Sequence, residues 1–325
     1  MKILVTGGLG LIGHNVVARL EQQGHDVVIF DTRTTYGIIP QDELDYLMEE
    51  RLKKIKTYFI FRTDISGDNA FRIIQSHRPD VVMHLASFPR QKVVNNNPQL
   101  GSRTMSEGLL NLLEASVQAK VKRFMYISSS MVYGDFTDDV TEDYDCKPQG
   151  QYGIMKYAGE LLVKDYTRKY GMAHTIIRPS AVYGPLDVED RVIAKFMLQA
   201  MRGQTLTVNG PDETLDFTYV EDAASGFVAA ALSDNTDNKT YNITKSHSRT
   251  LLDAASLAVG IVGNGTINVR GKDADFPSRG ALNIDAARKD FGYDPKVDVE
   301  EGFQKYYDWL STSPYWQAKL NTNDK

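Results

Sequence analysis

Two kinds of hydrophobic pattern alternate along the chain. Ile3-Leu4-Val5 is an apolar run with no charge after Lys2, as expected of a strand covered on both faces of a parallel sheet. Its carboxyl end opens into Gly7-Gly8-Leu9-Gly10-Leu11-Ile12-Gly13, an amphipathic stretch continues to Gln23, and Asp26-Val27-Val28-Ile29-Phe30-Asp31 returns as a second strand. Further short apolar runs predict strands over 57–61, 80–87 and 123–134. Between them, helical spacing predicts a surface helix over 41–56 packed on the sheet edge, one long helix over 98–119, and another from Tyr152 to about Tyr170. In the second half the pattern predicts a helix over 191–201, strands over 204–208 and 216–220, a helix over 221–232, and a last helix near 299–310 before a loose polar tail.

Composition narrows the classes of protein this can be. At 325 residues and 42% hydrophobic content, the chain can bury one large α/β domain with a smaller one appended. A net charge of −5 without basic runs argues against nucleic acid as a partner. Cys146 is the only cysteine, which excludes intramolecular disulfides and cysteine-cluster metal sites; we expect no metal. The chain enters its first strand without a leader-like segment and has no apolar stretch of about 20 residues, so no membrane partner and a cytoplasmic location are expected.

The glycine cluster carries the first chemistry. Gly7 permits a tight turn, Gly10 lets backbone N–H groups approach a pyrophosphate at a helix N-terminus, and Gly13 lets the helix lie on the strand. Asp31, at the tip of the second strand, is placed to accept hydrogen bonds from both adenosine ribose hydroxyls and to repel a 2′-phosphate, favouring NAD over NADP. Arg33 is the residue that would favour the phosphate instead. Asp64, before Ile65, fits an adenine contact and a turn or cap equally well. After the fourth strand, Leu85-Ala86-Ser87 is a small-residue turn that a coenzyme can approach, whereas His84, inside the strand, reads as structural. The fifth strand ends in the hydroxyls Ser128, Ser129 and Ser130, which face any ligand beyond the sheet's carboxyl edge. Tyr152 and Lys156 lie four apart on one helix face, where an ammonium is expected to lower the phenol's pKa and make it usable as a base.

Taken together, Thr6 to Gly13, Asp31, Asp64-Ile65, His84-Leu85-Ala86, Ser129 before Val132-Tyr133-Gly134, Tyr152-x-x-x-Lys156, Arg178-Pro179, Val182-Tyr183-Gly184-Pro185 and Asp216-Phe217-x-Tyr219-Val220-x-Asp222 resemble the extended short-chain dehydrogenase/reductase family, in its nucleotide-sugar epimerase and dehydratase branch. The resemblance spans essentially the whole chain. It implies a Rossmann-type doubly wound parallel sheet with a smaller C-terminal α/β lid: residues 1–178 and 216–245 binding NAD, residues 179–215 and 246–325 binding substrate. It also implies coenzyme contacts from Gly7, Gly10, Leu11, Ile12, Gly13, Asp31, Asp64, Ile65, Leu85, Ala86, Ser87, Ser128, Tyr152, Lys156 and Pro179. Catalysis falls to Tyr152 as base, with Lys156 and Ser129 assisting. Substrate contacts are expected from Ser129, Ser130, Tyr152, Arg279, which would meet a diphosphate, and Arg90. A homodimer through a four-helix bundle built on 98–119 and 152–170 is expected.

The dehydratases of this branch carry an Asp-Glu pair where this chain has Ser130 and Met131, so elimination lacks its proton shuttle and 4-epimerisation through a keto sugar is the leading expectation. A net sugar-nucleotide dehydrogenase or reductase is the alternative, followed by a 4,6-dehydratase and a catalytically silent dinucleotide sensor. Three substrate-side positions depart from the family pattern: Ala181 in place of Asn, Leu215 in place of Arg, and Met105 in place of Asn.

Overall fold

The computed structural model describes residues 1–35, 37–88, 91–272 and 277–322. The expected alternation appears in chain order as β1 (Lys2–Thr6), α1 (Leu11–Gln22), β2 (Asp26–Asp31), α2 (Gln41–Leu52), β3 (Ile60–Arg62), α3 (Asp68–His77), β4 (Val81–His84), α4 (Gln91–Asn96), α5 (Pro98–Ser102), a π-helical turn (Arg103–Glu107), α6 (Gly108–Gln118), β5 (Arg123–Ile127), α7 (Gly150–Tyr170) and β6 (Ala173–Pro179). The remainder runs β7 (Val182–Tyr183), α8 (Val192–Met201), β8 (Thr205–Asn209), β9 (Thr214–Asp216), β10 (Thr218–Tyr219), α9 (Val220–Leu232), β11 (Lys239–Ile243), β12 (Ser248–Thr250), α10 (Leu251–Val262), β13 (Thr266–Arg270), α11 (Asp285–Phe291), α12 (Val299–Thr312) and α13 (Pro314–Thr322).

Seven strands form one sheet in the order β11-β6-β5-β4-β1-β2-β3, every pairing parallel. Alternate residues of β1 supply the two faces, as the strand period requires. Ile3 and Val5 pack with Val16, Val17 and Leu20 of α1 and Phe227 of α9, while Leu4 joins Ile74 of α3 and Leu109, Leu112 and Leu113 of α6. A separate core gathers Phe196 and Met197 of α8, Leu206 of β8, Ala255 of α10 and Phe303 and Tyr306 of α12. It sits beyond the carboxyl ends of the sheet strands, where a ligand of such a sheet is bound.

Four expectations need correction. The helix expected over 98–119 is broken by the π-helical turn, because α6 is drawn onto the segment after β3: a Cβ at Gly108 would lie 2.6 Å from Ile65 Cγ1, and Asn111 Nδ2 donates to the Ile65 carbonyl at 2.7 Å. The strand expected over 216–220 is two, β9 and β10, in different sheets, because Asp216 turns inward to accept from Lys245, Ser246 and Leu282 N–H groups. The tail expected to be loose folds as α13, with Trp316 1% exposed. Finally, α2 does not simply lie on the sheet edge. Tyr46 stacks on Tyr315 at 4.5 Å and shares a hydrogen bond with Ser313, and Leu44 and Leu47 pack with Leu186.

Candidate active site

A large cavity of about 1390 Å³ opens between the sheet's carboxyl edge and the second core. Gly7, Gly10, Leu11, Ile12, Gly13, Asp31, Asp64, Ile65, Leu85, Ala86, Ser87, Ser128, Ser129, Ser130, Tyr152, Lys156, Pro179 and Arg279 all line it. Arg90 lies outside the described residues.

The first turn is closed by backbone. Gly7, at φ +68°, donates to the Phe30 carbonyl, and a Cβ there would press to 2.8 Å from Ala86 N. A Cβ at Gly13 would fall 2.1 Å from the Gly7 carbonyl oxygen, so α1 reaches the turn only because that position is bare. Asp31 closes the other side, accepting from Leu9 N–H at 3.0 Å and from Arg33 N–H at 2.7 Å. Burial raises its carboxyl above the usual range, against these hydrogen bonds and the charge of Arg51. A bare turn at a helix N-terminus with a carboxylate across the cleft fits the pyrophosphate and adenosine ribose of NAD.

Asp64 spends one carboxylate oxygen on Ser66 N–H and hydroxyl, the turn role, while still lining the cavity. His84 is structural as expected. Its Nδ1 meets Thr6 Oγ1 at 2.8 Å, the same hydroxyl accepts from Ala86 N–H, and burial holds its pKa down to about 3, so the ring is neutral. Ser128 turns its hydroxyl to Glu160 at 2.6 Å, inside a buried cluster where Glu160 pairs with Arg178 through two nitrogens. Ser130 donates to Ser180 at 3.3 Å.

Tyr152, Lys156 and Ser129 come together. The Ser129 hydroxyl accepts from Met131 N–H at 3.2 Å and acts to lower the Tyr152 phenol, against its burial. Lys156 donates to the Ile127 carbonyl at 2.7 Å, with Nζ 5.9 Å from the centre of the Tyr152 ring. The electrostatic expectation needs correction: the phenol is raised, not lowered. Burial dominates, with Tyr152 set against Phe88, Val94 and Met105, and the cation that opposes it is Arg191. Burial likewise brings Lys156 down to about 7 against the opposing charge of Glu160, which leaves it a weakened cation.

The other end of the cavity is lined by long side chains. The Nε atoms of Arg202 and Arg279 are buried without a protein partner, and burial lowers Arg279 to about 10. Such donors suit an anion supplied from outside the chain. Arg51, Arg191 and Arg202 were not anticipated from the sequence. The only signal for Arg51 is its spacing of four and eight from Leu47 and Glu43 on one face of α2. No group of His, Cys, Asp and Glu suited to a metal occurs among the described residues. Among them, too, no helix is long and apolar enough to cross a membrane.

Residues 3–244 match the model of the NAD dependent epimerase/dehydratase family. The fold is similar to that of UDP-glucuronic acid 4-epimerase from Bacillus cereus, solved with UDP-glucuronic acid and NAD: TM-score 0.87 and 28% identity over 96% of this chain and 99% of that one. UDP-glucose 4-epimerase from Thermotoga maritima, solved with UDP-glucose, gives a TM-score of 0.86 and 27% identity over 96% and 99%. The dTDP-glucose 4,6-dehydratase of Neisseria meningitidis is 30% identical over 348 residues, covering 98% of this chain and 96% of that protein.

Proposed function

The chain belongs to the NAD-dependent epimerase/dehydratase family and acts with NAD on a nucleotide sugar; within that family, we propose that it inverts a sugar hydroxyl, at C4, through a transient keto sugar. The observation that carries this reading is the convergence of Tyr152, Ser129 and Lys156 at the buried end of the cavity, with no carboxylic acid at positions 130 and 131. NAD, when bound, supplies reversible removal of a hydride from the sugar carbon. Tyr152 takes the hydroxyl proton as that C–H bond breaks and gives it back as the bond re-forms on the opposite face. Ser129 positions the reacting oxygen, and Lys156 orients the nicotinamide ribose. Ser130 and Met131 are unable to shuttle the proton that water elimination needs, which favours epimerisation over dehydration.

Residues 1–178 with 216–245 act as the coenzyme-binding domain, and 179–215 with 246–325 as the substrate-binding one. Arg279 meets the diphosphate. The exposed Leu100, Leu110, Ile154 and Leu161 on α5, α6 and α7 support pairing of two copies through these helices, in a cytoplasmic homodimer. Sedimentation is expected to give about twice the 36.4 kDa chain mass; a 36.4 kDa species alone refutes the pairing.

The decisive experiment incubates the protein with UDP-, dTDP-, GDP- and CDP-sugars and follows the products by NMR. Accumulation of a C4 epimer, with deuterium at C4 retained, is expected. A 4-keto-6-deoxy product, or net consumption of added NAD, overturns the reading in favour of a dehydratase or a dehydrogenase.

A further inference from the structure

Arg51 is 4% exposed, yet neither of its terminal nitrogens meets a carboxylate. One donates to the Leu9 carbonyl at 2.8 Å, inside the glycine turn, and the other to the Leu186 carbonyl at 2.6 Å, in the loop that follows Tyr183-Gly184-Pro185. Burying a guanidinium on two neutral acceptors is costly unless charge nearby offsets it. Asp187 and Asp31 supply that charge from two different segments.

Each end of this link touches a ligand-facing group. The Leu9 residue that accepts from Arg51 through its carbonyl donates through its N–H to Asp31. Leu186 is held at φ +69°, a left-handed conformation that leucine seldom adopts. Beyond it Asp187 accepts from Val188 N–H and stands 4.0 Å from Arg191, the cation that acts on the Tyr152 phenol. The same face of α2 grips the loop again, with Glu43 accepting from Glu189 N–H at 2.8 Å. From the outside, α13 braces α2 through Tyr315 on Tyr46 and Asp42.

We propose that Arg51 is a positioning residue that couples the two halves of the site, fastening the coenzyme turn at Leu9 to the substrate loop 186–191 at Leu186 so that a ligand ordering one favours the other. The proposal rests on the functional reading above. Coupling of this kind is reciprocal and is measured as the factor by which one ligand changes retention of the other, typically about 5- to 150-fold.

The test follows exchange of protein-bound NAD for excess NADH, read by NADH fluorescence on the whole chain, with and without UDP, dTDP, GDP or CDP. Binding of each nucleotide is checked separately by saturation-transfer NMR. In the parent protein the bound nucleotide is expected to slow exchange about tenfold. In Arg51→Met that factor is expected to fall below about twofold while both ligands still bind, and in Arg51→Lys, which keeps a single donor group, to take an intermediate value. A merely structural role would lower the melting temperature and leave the factor intact, and an intact factor in either variant overturns the proposal. Should Arg51→Met fail to fold, Arg51→Lys decides alone. A nucleotide that binds the parent protein without slowing exchange also overturns it, whereas failure of all four nucleotides to bind overturns the functional reading on which it stands.

Discussion

The two ends of the cavity are made of different material. At the coenzyme end, Arg51 behind the turn apart, the contacts are backbone and short side chains: the bare Gly7 and Gly13, the Leu9 N–H on Asp31, and the hydroxyl and small-residue turns closing β4 and β5. At the substrate end they are guanidinium groups on long stems, Arg191, Arg202 and Arg279, two of them with a buried nitrogen left unbonded by the protein. A surface built from main chain is fixed once the sheet forms and accepts one shape. A surface built from side chains on loops and helix ends changes with each substitution, and Ala181 and Leu215, two of the positions expected to differ from the family pattern, both line the cavity. The difference teaches that one end takes its shape from the backbone, while the other takes it from side chains that a substitution can change.

Three substitutions test that contrast. The largest effect is expected from Tyr152→Phe, at the junction of the two ends: kcat should fall by about 10²- to 10⁴-fold, the share of a general base, while NAD content stays at the parent level. Near-parent turnover would remove Tyr152 from the chemistry. Next, Arg279→Met should raise KM for the nucleotide sugar by about 10- to 100-fold, as expected for losing a charge-assisted hydrogen bond, with kcat within about threefold. Equal loss in both would mean that Arg279 serves the reaction and not only binding.

The smallest effect is one of stability. Burial raises the Glu43 carboxyl to about 7 from 4.5, so the folded protein keeps a proton that the unfolded chain has already released. The parent protein therefore loses stability from this group as pH rises from 4.5 to about 7, and Glu43→Gln does not. The melting temperature of the variant relative to the parent should accordingly climb across that interval, by roughly 3 °C, and level off above it. A flat difference would show that Glu43 is ionised throughout.

Much of the sheet was legible because a strand buried on both faces must be apolar in every position, which Ile3-Leu4-Val5 and Val27-Val28-Ile29-Phe30 are. The turn and the Tyr152–Lys156 pair were legible because spacing along the chain is also spacing in space over one helical turn. What escaped was whatever depends on partners far away. The 3.6-residue period of α2 marks a buried side but not its partner, so Leu47, Glu43 and Arg51 read as part of a surface helix. The π-helical turn at Arg103–Glu107 leaves no mark in the spacing of apolar residues, being set by the fit of Gly108 against Ile65. The raised phenol of Tyr152 escaped because its cause is a dry wall of Phe88, Val94 and Met105, gathered from two separate segments.

The stacking of Tyr315 on Tyr46 has a bearing on how the molecule comes into being. During synthesis the seven-stranded sheet can assemble well before the last helix emerges, because its final strand ends at Ile243. The brace on α2, by contrast, spans 267 positions at the Tyr46–Ser313 hydrogen bond and can close only after Ser313 has been made. A nascent polypeptide halted just short of Ser313 would thus own its β-scaffold while its α2 still lacked the support of Tyr315 and Ser313.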